Sequence, residues 1–86
     1  MTYRVLIDQR AARQLESLPK SLAQRIDQVI AGLAVSPRPP GVKRLRGQVK
    51  EGWRVRIGRY RVLYRIDDEA REVRIFEVGH RREVYR

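Results

Sequence analysis

Trp53-Arg54-Val55-Arg56-Ile57-Gly58-Arg59-Tyr60-Arg61-Val62-Leu63-Tyr64-Arg65-Ile66 is the stretch whose reading decides the fold. Both halves change side-chain character at every second residue, the repeat of a strand whose successive side chains point to opposite faces. Gly58-Arg59 separates them and suits a two-residue hairpin turn with glycine first, where the backbone needs a positive φ. The pattern predicts strands over 53–57 and 60–66. One face carries Trp53, Val55, Ile57, Tyr60, Val62, Tyr64 and Ile66; the other carries Arg54, Arg56, Arg61, Leu63 and Arg65.

Downstream, residues 67–70 read as a turn and 72–78 as a third strand, with a polar tail from Gly79 to Arg86. Asp67-Asp68-Glu69 has the composition of a carboxylate metal cluster, but aspartate favours turns by bonding its own backbone. No metal is expected, and no cofactor, since no phosphate-binding glycine loop is present. Upstream, residues 42–46 suggest a short strand and 47–52 a loop, preceded by the stiff connector Ser36-Pro37-Arg38-Pro39-Pro40-Gly41. Residues 2–7 predict a first strand with Tyr3, Val5 and Ile7 on one side. Asp8 is placed to N-cap a helix carrying Ala11, Ala12, Leu15 and Leu18. After Pro19 a second helix starts, at Ser21 or at Leu18-Pro19, with the stripe Leu22, Ile26, Val29, Ile30 and Leu33 at helical spacing. Strand, helical hairpin, then antiparallel meander is an α+β fold with the helices on one face of the sheet. The arginine face is expected to be open, a cleft for a phosphate chain.

At 86 residues the chain predicts one domain, 1–86, near the lower size limit for a single core. It has no cysteine, so neither a disulfide nor a thiolate metal site can brace it. Arg4 and Asp8 interrupt the N-terminal apolar stretch too early for a signal-peptide core, and the longest apolar run, residues 29–35, is too short to span a bilayer. A soluble cytoplasmic protein is the expectation.

Charge separates the partners further. Twenty lysines and arginines against ten acids give +10, and residues 38–65 hold ten of those cations and one of the acids. Such a local surplus attracts a polyanion, because each neutralised phosphate releases condensed counterions. All but three of the cations are arginine, whose planar fork binds phosphate bidentately.

Taken together, Lys43-Arg44-Leu45-Arg46-Gly47, Trp53-Arg54-Val55-Arg56-Ile57, Tyr60-Arg61-Val62-Leu63-Tyr64-Arg65-Ile66 and Val78-Gly79-His80-Arg81-Arg82-Glu83-Val84-Tyr85 resemble the RelE-like toxins of the RelE/ParE superfamily over nearly the whole chain. The resemblance implies a messenger-RNA endoribonuclease that works on the translating ribosome and is held inactive by an antitoxin encoded beside it. It implies functional roles for Arg54 and Arg56, for Arg61, and for Arg81 and Tyr85 in the tail. The best-known members carry lysine where this chain has Arg54 and Arg56, and some continue past the tyrosine into a further helix.

The chemistry follows from those residues. Attack by the substrate's own 2′-hydroxyl requires deprotonation of that oxygen, stabilisation of a dianionic phosphorane and protonation of the leaving 5′-oxygen. Arg61 and Arg81 are the candidates for the phosphorane clamp. Arg54, Arg56, Lys43, Arg44, Arg46 and Arg65 are candidates for holding the RNA. Arginine stays protonated in proteins, which leaves His80 and Tyr85 as candidate proton carriers. Two other readings share the fold: a ParE-like inhibitor of DNA gyrase, and a nucleic-acid-binding module without chemistry. Gyrase inhibition needs no phosphorane clamp, and the arginine series favours the nuclease.

Overall fold

The computed structural model describes residues 2–45 and 52–80. In chain order the elements are β1 (Arg4–Ile7), α1 (Gln9–Glu16), α2 (Lys20–Leu33), β2 (Lys43–Arg44), β3 (Trp53–Ile57), β4 (Tyr60–Asp67) and β5 (Glu72–His80). The five strands form one sheet in the order β1-β5-β4-β3-β2. From β2 to β5 the pairing is the expected antiparallel meander. β1 differs, because it lies parallel to β5 at the far edge, Arg4 beside Glu72 and Ile7 beside Ile75.

The helices cover one face, as the apolar stripe requires. Ile26, Ile30 and Leu33 of α2 and Ala11 of α1 pack on Ile57, Val62, Tyr64, Val73, Ile75 and Val78 of the sheet. Ile26 is fully buried; cutting such a side chain to alanine removes about 2–5 kcal/mol. α1 is also pinned to β5 by a polar contact, in which the Val78 amide donates to Gln14 Oε1 at 2.7 Å. α2 starts at Lys20 with Pro19 at the N-cap position. That agrees with the Leu18-Pro19 start and not with Ser21. Asp8 does occupy the N-cap position of α1, yet its carboxylate makes no capping bond. Asp8 Oδ1 instead accepts from Arg74 at 2.8 Å.

Two backbone features set the geometry of the meander. Gly58 has φ +60 and Arg59 is not in the positive region, the pattern of a II′ hairpin turn. In β5 the register slips between Leu63 and Tyr64: Leu63 pairs with Glu77 but Tyr64 pairs with Ile75, which leaves Phe76 as a bulged residue. The bulge explains why Val73, Ile75 and Val78 all reach the core, since strict alternation would turn Val78 away from the helices. β5 also continues through Gly79 and His80, two residues the sequence assigns to the tail.

The connector between α2 and β2 is tied down by side chains. Tyr64 Oη donates to the Pro37 carbonyl at 2.7 Å, and burial pushes the Tyr64 phenol up to about 12. Arg38 donates to both Asp68 oxygens, at 3.3 and 2.9 Å, and Tyr3 Oη donates to Asp68 Oδ1 at 2.6 Å. These bonds hold the Asp68 carboxyl below its ordinary range, with Arg38 the largest cause. Asp67 Oδ1 accepts from the Ala70 amide at 3.0 Å. Asp67 thus works as turn chemistry, whereas Asp68 ties the turn to Arg38 and Tyr3.

Candidate nucleic-acid interface

Strand register lays out the side of the sheet that the helices leave uncovered. One row across it runs Lys43, Arg54, Leu63, Glu77; the next runs Arg56, Arg61, Gly79. Beyond the bulge Arg65 pairs with Arg74. The hairpin therefore brings Arg54, Arg56, Arg61 and Arg65 to one face, with Lys43 joining from the edge strand.

That face is not the fully open cleft that alternation suggests. Leu63 is completely buried and Arg61 and Glu77 are each 4% exposed, so the middle is covered. Arg54 is half-buried, while Arg56, Arg65 and Arg74 remain exposed around it. Period-two patterning tells which face a side chain takes, and it is silent on whether that face is covered.

Arg61 is the unusual member. Among the described residues its guanidinium makes one long contact, Nη1 to the Tyr60 carbonyl at 3.4 Å, and its buried Nε has no hydrogen-bond partner there. Directly across the ladder stands Arg56, another cation. Side chains so opposed have Cβ atoms roughly 4.5–5.5 Å apart, and like charges there are destabilising. On its other side Arg61 faces Gly79, which presents no side chain. A charged group with an open donor and a like charge beside it is poorly suited to stability and well suited to an anion.

Other candidates fall elsewhere. Arg44 pairs with Trp53 and lies 5.8 Å from its ring centroid, on the helix side, with Arg38 5.2 Å from the same ring. Arg65 stacks over Phe76 at 4.2 Å. His80 pairs with Tyr60, whose ring it meets edge-on at 5.5 Å between centroids. Tyr60 packs against the core, so the bulge turns His80 to the helix side, and the sheet does not bring it together with Arg61. Arg46, Arg81 and Tyr85 lie outside the described residues. The pairing of Arg65 with Phe76 was not readable in advance; the break in alternation after Ile75 was its only signal. Among the described residues no group of three or more His, Cys, Asp or Glu forms a metal-ligand cluster, and no helix is long and apolar enough to cross a membrane.

A small α+β domain with two helices on one side of a five-stranded sheet is the fold of RelE-type toxins. The profile of the family described as ParE toxin of type II toxin-antitoxin system, parDE, matches residues 5–85, and the chain belongs to this family, within the RelE/ParE superfamily. Among its relatives is toxin RelG of Mycobacterium tuberculosis, 39% identical over the whole of this chain and 99% of the relative. In structure it resembles the toxin–antitoxin complex RelBE2 of Mycobacterium tuberculosis with a TM-score of 0.82 and 33% identity, covering 93% of this chain and 99% of the other. The archaeal RelE–RelB complex of Pyrococcus horikoshii gives a TM-score of 0.82 and 32% identity, covering 94% and 97%.

Proposed function

We propose that this toxin is a ribosome-dependent messenger-RNA endoribonuclease. The observation that carries the reading is Arg61: a buried guanidinium whose Nε has no partner among the described residues, set opposite Arg56. In the reaction the 2′-oxygen of the substrate bonds to phosphorus and its proton leaves to a base. The phosphorane then collapses, the bond from phosphorus to the 5′-oxygen breaks, and that oxygen takes up a proton. The products are a 2′,3′-cyclic phosphate and a 5′-hydroxyl. Arg61 and, by resemblance, Arg81 meet the developing negative charge, where pre-aimed donors are worth most. Arg54, Arg56 and Lys43 hold the flanking phosphates. Tyr85 is the proton carrier favoured by the resemblance, and the position of His80 on the helix side of the sheet supports that preference.

Solved relatives include toxin–antitoxin complexes, RelE with RelB among them, which supports a cognate antitoxin here. Its acidic or amphipathic segment covers the arginine face and competes with RNA; added salt weakens the encounter by screening the rim charges.

Purified ribosomes programmed with a defined message provide the test. Position-specific cuts ending in cyclic phosphate, abolished by a 2′-deoxy sugar at the scission site, are the expected result. Cutting of the deoxy message sinks the proposed nucleophile. Intact message together with inhibited DNA gyrase establishes the ParE-like activity in its place.

A further inference from the structure

We propose that the groove between α2 and the β3–β4 turn is a second seat for RNA phosphates. This rests on the reading that the chain acts on RNA and extends it to a surface outside the cleavage site. The groove is about 400 Å³ and is lined by Arg25, Gln28, Val29, Arg56, Ile57 and Gly58.

Three observations converge on an RNA backbone. The first is continuity: Arg56 lines the groove and also stands opposite Arg61 in the ladder, so one strand of RNA can pass from the sheet face round the hairpin tip without leaving positive charge. The second is uncompensated charge. Arg25, Arg56 and the turn residue Arg59 are all exposed, and among the described residues none of the three forms an ion pair or side-chain hydrogen bond. The only acid near Arg25 on its own helix, Asp27, is two positions away and faces elsewhere, because helical neighbours lie three or four apart. The third is the lining itself. Gln28 falls three positions from Arg25 and offers both a donor and an acceptor to a sugar–phosphate chain. Val29 is half-buried and Ile57 buried, so they form the floor of the groove while the exposed arginines form its rim. Phosphate contacts of this kind position a strand and carry no sequence information. The groove thus adds affinity and register to a cut made elsewhere.

The phosphates belong either to the message flanking the scission site or to ribosomal RNA, and the experiment separates the two. Arg25→Ala, Arg25→Glu and Arg25→Lys are compared with the parent for binding to short and long single-stranded oligoribonucleotides and to purified small ribosomal subunits, each across a salt series. Arg10→Ala, an exposed arginine on α1, is the control, and thermal melts confirm folding. Arg25→Ala is expected to weaken binding several-fold and to reduce the salt slope by roughly one, as for one lost phosphate contact. Arg25→Glu should weaken it more, whereas Arg25→Lys and Arg10→Ala should stay near the parent. A loss seen only with the long oligonucleotide assigns the seat to the message, and a loss seen only with the subunit assigns it to ribosomal RNA. Unchanged affinity for every RNA, or a loss confined to antitoxin binding, overturns the proposal. Should the parent fail to cut any message while Arg25→Ala still loses RNA affinity, the cleavage reading falls and the seat stands.

Discussion

Arg56 and Arg61 stand opposite each other across the β3–β4 ladder, two cations where a folding sequence would ordinarily place a neutral or complementary pair. Arg61 is 4% exposed with its Nε unpaired among the described residues, whereas Arg56 is open to solvent. Like charges so opposed are unfavourable, and the buried member of the pair has the less water to screen it.

Replacing Arg61 tests both sides of that relationship. Arg61→Ala should lower the single-turnover cleavage rate by roughly 10²-fold, the scale of losing one oxyanion-hole donor. Ribosome binding should change much less, because other cations remain. Arg61→Met, which keeps volume and removes charge, should leave stability unchanged or raise it by about 1 kcal/mol, read as the urea midpoint. A large destabilisation by Arg61→Met would make the guanidinium a structural group.

Proton transfer is probed by a pair of variants. Tyr85→Phe should lower the cleavage rate. His80→Gln should leave the shape of the pH–rate profile between about pH 5 and 8 intact, since that is where a histidine base would reveal itself. A flattened profile in His80→Gln transfers the role to the histidine. Full activity of the double variant removes both residues from the mechanism.

Tyr64 gives a stability prediction with a definite sign. Burial raises its phenol to about 12 from 10.0. The folded state therefore holds the proton more tightly than the unfolded state. Its contribution is fully present below pH 10 and is lost as pH rises from about 10 to about 12. Tyr64→Phe should flatten that part of the stability profile and, at neutral pH, lose the Pro37 hydrogen bond, about 1 kcal/mol. Denaturant titrations at several alkaline pH values read both effects.

Gly52 admits no side chain. Its φ is +129, and a Cβ there would lie 2.3 Å from the Tyr64 carbonyl oxygen. The Gly52 carbonyl also accepts from the Leu45 amide at 2.8 Å, which closes the approach to β3. Gly52→Ala should destabilise the protein by about 2–3 kcal/mol, seen as a lowered melting temperature. An unchanged melt would mean that this approach is far looser than the contact implies.

Much of this architecture was legible in local pattern. The alternation in 53–66, the Gly58 turn and the Leu22-to-Leu33 stripe each report a periodicity that burial imposes on one element at a time. What stayed hidden depends on relations between distant elements. Nothing in residues 2–7 states that β1 runs parallel beside β5, and nothing at Asp8 foretells that Arg74 takes its carboxylate. The bulge at Phe76 inverts the parity of everything after it. His80 would share the Arg61 face in an unbroken strand and instead lies beside Tyr60 on the other. Clustering of the hairpin arginines was readable; the burial of Arg61 and Leu63 on the same face was not.

The parallel pairing of β1 with β5 also governs when the molecule comes into being. Arg4 is matched with Glu72, a partner 68 positions away. Contacts of such long sequence separation are slow to form, because chain closure is unfavourable until the pairing is made. During synthesis β1 emerges early and finds no sheet edge to join until residues 72–75 have been made. The β3–β4 hairpin can form locally before then, but without β5 it lacks the strand that sets Gly79 beside Arg61. The sheet, with Gly79 set beside Arg61, is therefore complete only once residues 72–80 have been made, so the last strand of the meander gates the closure of the first.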